Sequence, residues 1–352
     1  MKLKFLKPAA LAALALAGFS ACEDSTFIEG NAIERVSYLY LNYCNPDTTG
    51  AGGIYGNKPM IELDEDNTSK DVIIDFSKPF FGKVEGSNMT KIIIDNVRFF
   101  DEYGSYKIKD IRVDEQRDNN WVTQSKSQNP ITYNDLKELD VAVVIDNSSY
   151  LEKQFGNLKS NAESFVRTIA RRFPQAQFTV AATSGDVDNL NVTALASSED
   201  AISTIQRMEK SQYSYLYTAS GKALAELSEG SSSSKVLVYF GAENYSANED
   251  KSGAKDSITT LLDRGVYSNV SVFAIGYSDD GLLASETLSN FCRTGRGFAI
   301  YPGSGDKLSE FFDYFSNSVA TAYTITYSHE ATMYDVDEKQ PIRFKFVLEQ
   351  QR

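Results

Sequence analysis

One histidine and three cysteines are all that this 352-residue chain offers to thiol or soft-metal chemistry. With His329 alone, most Ser-His-Asp and Cys-His catalytic schemes are removed, because each needs an imidazole beside its nucleophile. With so few cysteines, a zinc site of the usual Cys/His kind is not expected. Basic charge is scarce as well: 35 Lys and Arg stand against 48 Asp and Glu, a formal net charge of −13. That balance argues against nucleic acid as a partner, since phosphate binding needs clustered Lys and Arg. It reads instead as a solubilising charge. What the chain does have is aromatic side chains, 20 Tyr and 21 Phe, the composition of a globular protein. Its length suffices for two domains, each with its own core.

The first residues stand apart from any fold. Lys2, Lys4 and Lys7 form a positive start, and Ala9–Phe19 is an Ala/Leu-rich run of about 11 residues, too short to span a bilayer. Residues 1–21 therefore read as a signal peptide. The segment Phe19-Ser20-Ala21-Cys22 fits ordinary cleavage badly, because Phe19 sits where a small residue is wanted. It resembles a bacterial lipobox, with Phe19 in place of the more usual Leu. The resemblance implies a Cys22 carrying diacylglycerol and an N-acyl chain, anchored durably in a cell-envelope membrane. A cleaved, secreted form is the alternative. Glu23 and Asp24 open a polar tether, residues 22–34. Cys44 and Cys292 fall in different predicted domains, so two separate thiols are expected rather than a disulfide.

From 35 to 136, short strand-like runs are separated by turn residues: Val36–Tyr43, Met60–Leu63, Val72–Phe76, Lys91–Phe100, Tyr106–Val113 and Trp121–Gln124. With no helical period of useful length, the pattern predicts an antiparallel β-sandwich. From 137 to 321, strands alternate with helices. Strands are predicted at Asp140–Asp146, Phe178–Ala182, Val192–Ala196, Val236–Phe240, Val270–Gly276 and Phe298–Tyr301. Helices are predicted at Tyr150–Phe173, Asp200–Met208, Ser220–Leu227, Ala254–Leu262, Leu282–Phe291 and Leu308–Val319. That alternation predicts a mostly parallel sheet with helices on both faces. Residues 322–352 revert to alternating strands, Ala322–Tyr327 and Ile342–Leu348. They are expected to return to the β-sandwich, which makes the α/β unit an insertion; a hairpin extending the α/β sheet is the alternative.

The segment Asp146-Asn147-Ser148-Ser149-Tyr150 ends an apolar strand on a carboxylate and hydroxyls. In open α/β sheets ligands bind just beyond the strands' carboxyl ends, and such oxygens suit Mg²⁺ or Ca²⁺. With Val141–Ser149, four further segments come in order: Tyr217–Leu224, Lys235–Phe240, Val270–Gly276 and Thr294–Phe298. Together they resemble the von Willebrand factor type A (vWA) domain, a Rossmann-like fold. The resemblance implies a metal-ion-dependent adhesion site whose ligands fall on Asp146, Ser148 and Thr218. Its other two positions fall on Tyr150 and Ala242. A neutral phenol is a poor ligand for a hard cation, and alanine supplies none. Loss of such an outer-shell acceptor typically weakens metal binding by roughly 10–100-fold. Glu243 could swing in, although neighbouring residues leaving a strand point to opposite faces. Asp186 and Asp188, in the loop after the second strand, are other nearby carboxylates, or else surface turn residues.

The expected function is non-enzymatic: a lipid-anchored envelope protein whose vWA domain binds a protein or glycan partner, without a cofactor. Metal-dependent adhesion through a remnant Mg²⁺ or Ca²⁺ site at Asp146, Ser148, Thr218 and Glu243 is the alternative. A carboxylate hydrolase is remote, because nothing spaces two carboxylates for acid–base work. Pro302-Gly303-Ser304-Gly305-Asp306 lacks the Lys-Ser/Thr ending of a phosphate loop and reads as a turn.

Overall fold

The computed structural model describes residues 34–44, 60–64, 66–69, 72–75, 80–83, 89–101, 104–242, 253–263, 270–277, 286–301, 315–330 and 340–350. Cys22, Glu243 and the 302–306 turn lie outside them.

Alternation of side chains builds the β unit. In β15 (Gln340–Gln350), Ile342, Phe344, Phe346 and Leu348 are buried while the residues between them are only partly so. This is the period-2 signature of a strand with one face on a core. β15 lies antiparallel between β1 (Glu34–Cys44) and β6 (Gly104–Arg117); β2 (Met60–Leu63) borders β1, and β7 (Asn120–Thr123) borders β6. A second layer runs β4 (Phe80–Lys83), β5 (Met89–Asp101), β14 (Tyr323–Glu330) and β8 (Ile131–Asp135). β3 (Ile73–Asp75) pairs with the far end of β5. The layers join where β5 turns into β6, through Phe100↔Ser105 and Asp101↔Gly104.

Between the layers, Leu39, Leu41, Phe344 and Phe346 meet Ile92, Ile94, Ile325 and Tyr327. The Phe99 and Phe346 rings are 4.7 Å apart, and those of Tyr327 and Phe344 5.9 Å. Each such side chain contributes about 1.5–3 kcal/mol by leaving water. β14 and β15 thus pair with strands that precede the α/β unit, and the alternative of a hairpin on the α/β sheet is not seen.

The α/β unit is a five-stranded parallel sheet in the order β10–β9–β11–β12–β13. Its strands are β9 (Asp140–Ile145), β10 (Phe178–Ala182), β11 (Lys235–Gly241), β12 (Val270–Gly276) and β13 (Ala299–Ile300). β9, β11 and β12 are buried at every residue, as strands covered on both faces must be. On one face, Leu158, Phe165 and Ile169 of α1 (Phe155–Arg172) and Ile205 of α2 (Ser198–Arg207) pack against Val143 and Val238. On the other, Leu216, Ala223 and Leu224 of α3 (Leu216–Ser228) pack with Ile258 of α4 (Ala254–Asp263) and Phe291 of α5 (Glu286–Thr294). A helical stretch at 315–320 leads back to β14. No helix among the described residues is long and apolar enough to cross a membrane.

Two predicted elements differ, and two strands come in addition. The helix expected from Tyr150 opens instead as a 3₁₀ turn, Ser149–Leu151, because the Ser148 hydroxyl caps the Tyr150 N–H; the α-helix starts only at Phe155. Val192–Ala196 is not a regular strand but follows β10 antiparallel through isolated bridges at Val192 and Ala196. β4 and β8 were not expected. β8 is exposed at four of its five residues, so it carries no alternation to read.

Candidate functional site

The parallel strands aim their carboxyl ends at one edge, where the backbone spreads and N–H groups become available to side chains or ligands. Asp146 follows β9 there and is fully buried. Its own N–H bonds the Phe240 carbonyl at 2.8 Å, which fixes the carboxylate beside the end of β11. Oδ1 accepts from the Ser148 N–H at 3.0 Å and the Thr183 hydroxyl at 3.3 Å. Oδ2 accepts from the Ala242 N–H at 3.0 Å. The Tyr239 hydroxyl lies 3.3 Å from Oδ2 and 2.7 Å from the Ala242 carbonyl, so its one proton serves both. A carboxylate has roughly four lone-pair positions, and protein donors meet all of them.

Burial pushes the Asp146 carboxyl above its ordinary range, while the bonds from Ser148, Ala242 and Tyr239 hold it down; burial is the larger effect. Packing around the carboxylate is equally tight. A Cβ added at Gly241 would stand 2.3 Å from both Asp146 Cβ and the Tyr239 hydroxyl, so the end of β11 can approach only as glycine. Gly297 is similar: a Cβ there would lie 2.0 Å from the Val272 carbonyl oxygen.

Neighbouring loops are stapled to the same edge. Asn147 Nδ2 donates to the Glu209 carbonyl at 2.9 Å, and its Oδ1 accepts from the Ser184 N–H at 2.8 Å. The Ser149 hydroxyl donates to the Gln212 carbonyl at 2.8 Å. The Ser214 hydroxyl donates to Thr183 Oγ1 at 3.1 Å, one step from the carboxylate.

Of the residues expected at the site, Asp146 and Ser148 are brought together. Thr218 lies in the first turn of α3, half-buried. Tyr150 is 39% exposed at the rim, with nearby Tyr213 at 53%. Ala242 contributes its backbone N–H, which bonds the Asp146 carboxylate. Asp186, an alternative carboxylate, bonds Asn189 Nδ2 and the Asp188 N–H, and the Asn189 bond above all keeps it ionised to lower pH than usual. That is a surface turn. Thr183 and Tyr239 were not anticipated. The signal for Tyr239 was a lone hydroxyl in the aliphatic strand Val236–Phe240; Thr183 directly follows β10.

Among the described residues, no group of three or more His, Cys, Asp or Glu is placed to hold a metal ion. His329 is fully buried in the β unit, against the rings of Tyr43 and Tyr327. Cys292 is a buried free thiol, pushed above its ordinary range by burial.

An open parallel sheet with helices on both faces and an Asp-x-Ser at its carboxyl edge defines a Rossmann-like class. Within it, residues 140–313 match the family model described as von Willebrand factor type A domain. The α/β unit is a vWA domain. No curated protein matches the chain. Among solved structures, it is similar to the conserved hypothetical protein BatB from Bacteroides thetaiotaomicron, at 10% identity and TM-score 0.41, over 52% of this chain and 97% of that one. The PilB minor pilin from Streptococcus sanguinis is similar at 11% identity and TM-score 0.40, over 82% and 88%. The pilus adhesin SpaC from Lactobacillus rhamnosus GG is similar at 11% identity and TM-score 0.38, over 86% of this chain and 46% of that one.

Proposed function

We propose that the chain is a non-enzymatic, lipid-anchored protein of a bacterial cell envelope whose vWA domain binds a protein or glycan partner without a metal ion. The vWA family commonly serves adhesion and complex assembly, and the match over residues 140–313 supports that role here. One observation carries the metal-free part. Both Asp146 oxygens already accept backbone N–H groups, from Ser148 and Ala242, which take up lone pairs that a cation would otherwise need. Backbone donors cannot swing aside as side chains can. The described residues at this edge therefore do not fit Mg²⁺ or Ca²⁺, and Tyr150, a poor ligand for a hard cation, is 39% exposed. The buried His329 and Cys292 support a non-enzymatic reading, since neither can meet a substrate in solution. Anchoring rests on the Phe19-Ser20-Ala21-Cys22 segment.

The test uses the full chain captured from detergent-solubilised membranes with and without EDTA. Retention of the same partner in EDTA is expected. Loss in EDTA with recovery in Mg²⁺ would establish instead the metal-dependent reading through Asp146, Ser148, Thr218 and Glu243. Thermal melting gives an independent check: millimolar Mg²⁺ or Ca²⁺ should leave the midpoint unchanged, because a ligand that does not bind the folded state cannot stabilise it.

A further inference from the structure

Arg98 leaves the β unit altogether. It belongs to β5, yet it is only 2% exposed and its guanidinium lies among the starts of the parallel strands. Nη1 donates to Ser271 Oγ in β12 at 3.2 Å, and Nη2 donates to Ser234 Oγ, just before β11, at 3.1 Å. Nη1 also donates to Asn96 Oδ1 at 2.5 Å. Ser234 donates to the same Asn96 oxygen, closing a ring of bonds across the two units. The guanidinium carbon stands 5.9 Å from the centre of the Phe273 ring, also in β12. The backbone is shaped for this reach. Asn96 has φ of 61°, a left-handed conformation that non-glycine residues seldom adopt, opposite the register shift in β14 between Tyr323 and Ile325.

Burying a guanidinium is costly unless acceptors replace water, and the acceptors of Nη1 and Nη2 come from both units. Neither unit can unfold alone without breaking that set. Fewer contacts of other kinds cross nearby: the Phe100 and Phe298 rings, 5.1 Å apart, and the Ser105 and Ser318 hydroxyls, 2.8 Å apart. We propose that Arg98 is an interdomain bolt that makes the β unit and the vWA domain unfold as one cooperative body. The proposal is independent of what the vWA domain binds.

Differential scanning calorimetry of the full chain tests it. The natural protein should give one transition whose calorimetric and van't Hoff enthalpies agree. Arg98→Ala should split it into two, while Arg112→Ala, a surface arginine bonded to Asp110, should keep one. Two transitions in the natural protein would overturn the proposal. So would a single transition in Arg98→Ala, even one moved to lower temperature, because that is the behaviour of a residue that stabilises without coupling. Should Arg98→Ala fail to fold, Ser234→Ala/Ser271→Ala retains the arginine and Asn96. It should raise the calorimetric enthalpy above the van't Hoff value, and unchanged agreement between the two would overturn the proposal.

Discussion

Two buried ionisable groups, Asp146 and Arg98, lie near opposite ends of the parallel sheet and meet their partners in different ways. At the carboxyl edge, Asp146 is met by donors that all belong to the vWA domain: two backbone N–H groups and the hydroxyls of Thr183 and Tyr239. At the opposite end, Arg98 is met by Asn96 from its own unit and by Ser234 and Ser271 from the other. Neither set includes an opposite charge among these contacts; hydroxyls, amides and peptide groups do the neutralising. The difference lies in which parts of the chain each group ties together. Asp146 closes a single domain on itself at the carboxyl edge of the sheet, whereas Arg98 ties two units to one another.

The largest effect should come from removing the carboxylate. Asp146→Ala leaves two backbone N–H groups buried without acceptors, each costing about 1–3 kcal/mol. The expected loss is therefore about 2–6 kcal/mol, read from denaturant unfolding of the variant beside the natural protein. In calorimetry it should lower the single transition without splitting it, which is the opposite of the outcome expected at Arg98. A loss below about 1 kcal/mol would mean that water replaces the carboxylate freely, and the edge would then be an open site rather than a closed one.

A smaller change sharpens the same contrast. Tyr239→Phe keeps the ring and removes only the hydroxyl that reaches Ala242 O and Asp146 Oδ2. A loss of about 1 kcal/mol is expected, the usual net worth of one hydrogen bond. The variant should still show no rise in midpoint with millimolar Mg²⁺ or Ca²⁺, because the Ser148 and Ala242 N–H groups remain on the carboxylate. A cation-dependent rise in Tyr239→Phe alone would identify that hydroxyl as the group that excludes the metal.

Much of this arrangement was legible in the chain, and what was hidden has a common cause. The run Val141–Ile145 announced a buried strand, and Ile342–Leu348 showed its two faces by alternation. Asp146 and Ser148 could be named because they share one short segment. Thr183 and Tyr239 could not, since their approach depends on the register of three strands; Tyr239 sits opposite Val144 only because β11 pairs with β9 as it does. Arg98 was hidden for the same reason, lying in a strand whose pattern says nothing of a neighbouring unit. The 3₁₀ start at Ser149 was missed because one capping hydroxyl outweighed a continuous helical period. Local patterns thus predicted elements well, while contacts between elements had to be seen.

The smallest expected effect is a dependence on pH that distinguishes the Asp146 end from the rest of the fold. Burial raises the Asp146 carboxyl in the folded state above its unfolded value of about 4. Between those two values the folded chain holds a proton that the unfolded chain has released. Asp146 therefore contributes its full stability below about pH 4 and loses part of it as pH rises through the folded value. Asp146→Asn cannot titrate, so the stability of the natural protein relative to this variant should decline as pH increases across that window. Other carboxylates titrate in both proteins and cancel in the comparison. A relative stability that instead rises with pH would show that the four donors outweigh burial and keep Asp146 ionised, leaving a permanent anion at the edge. A flat difference would place the carboxyl at its ordinary value, exposed enough to exchange with water, and would undo the contrast with Arg98.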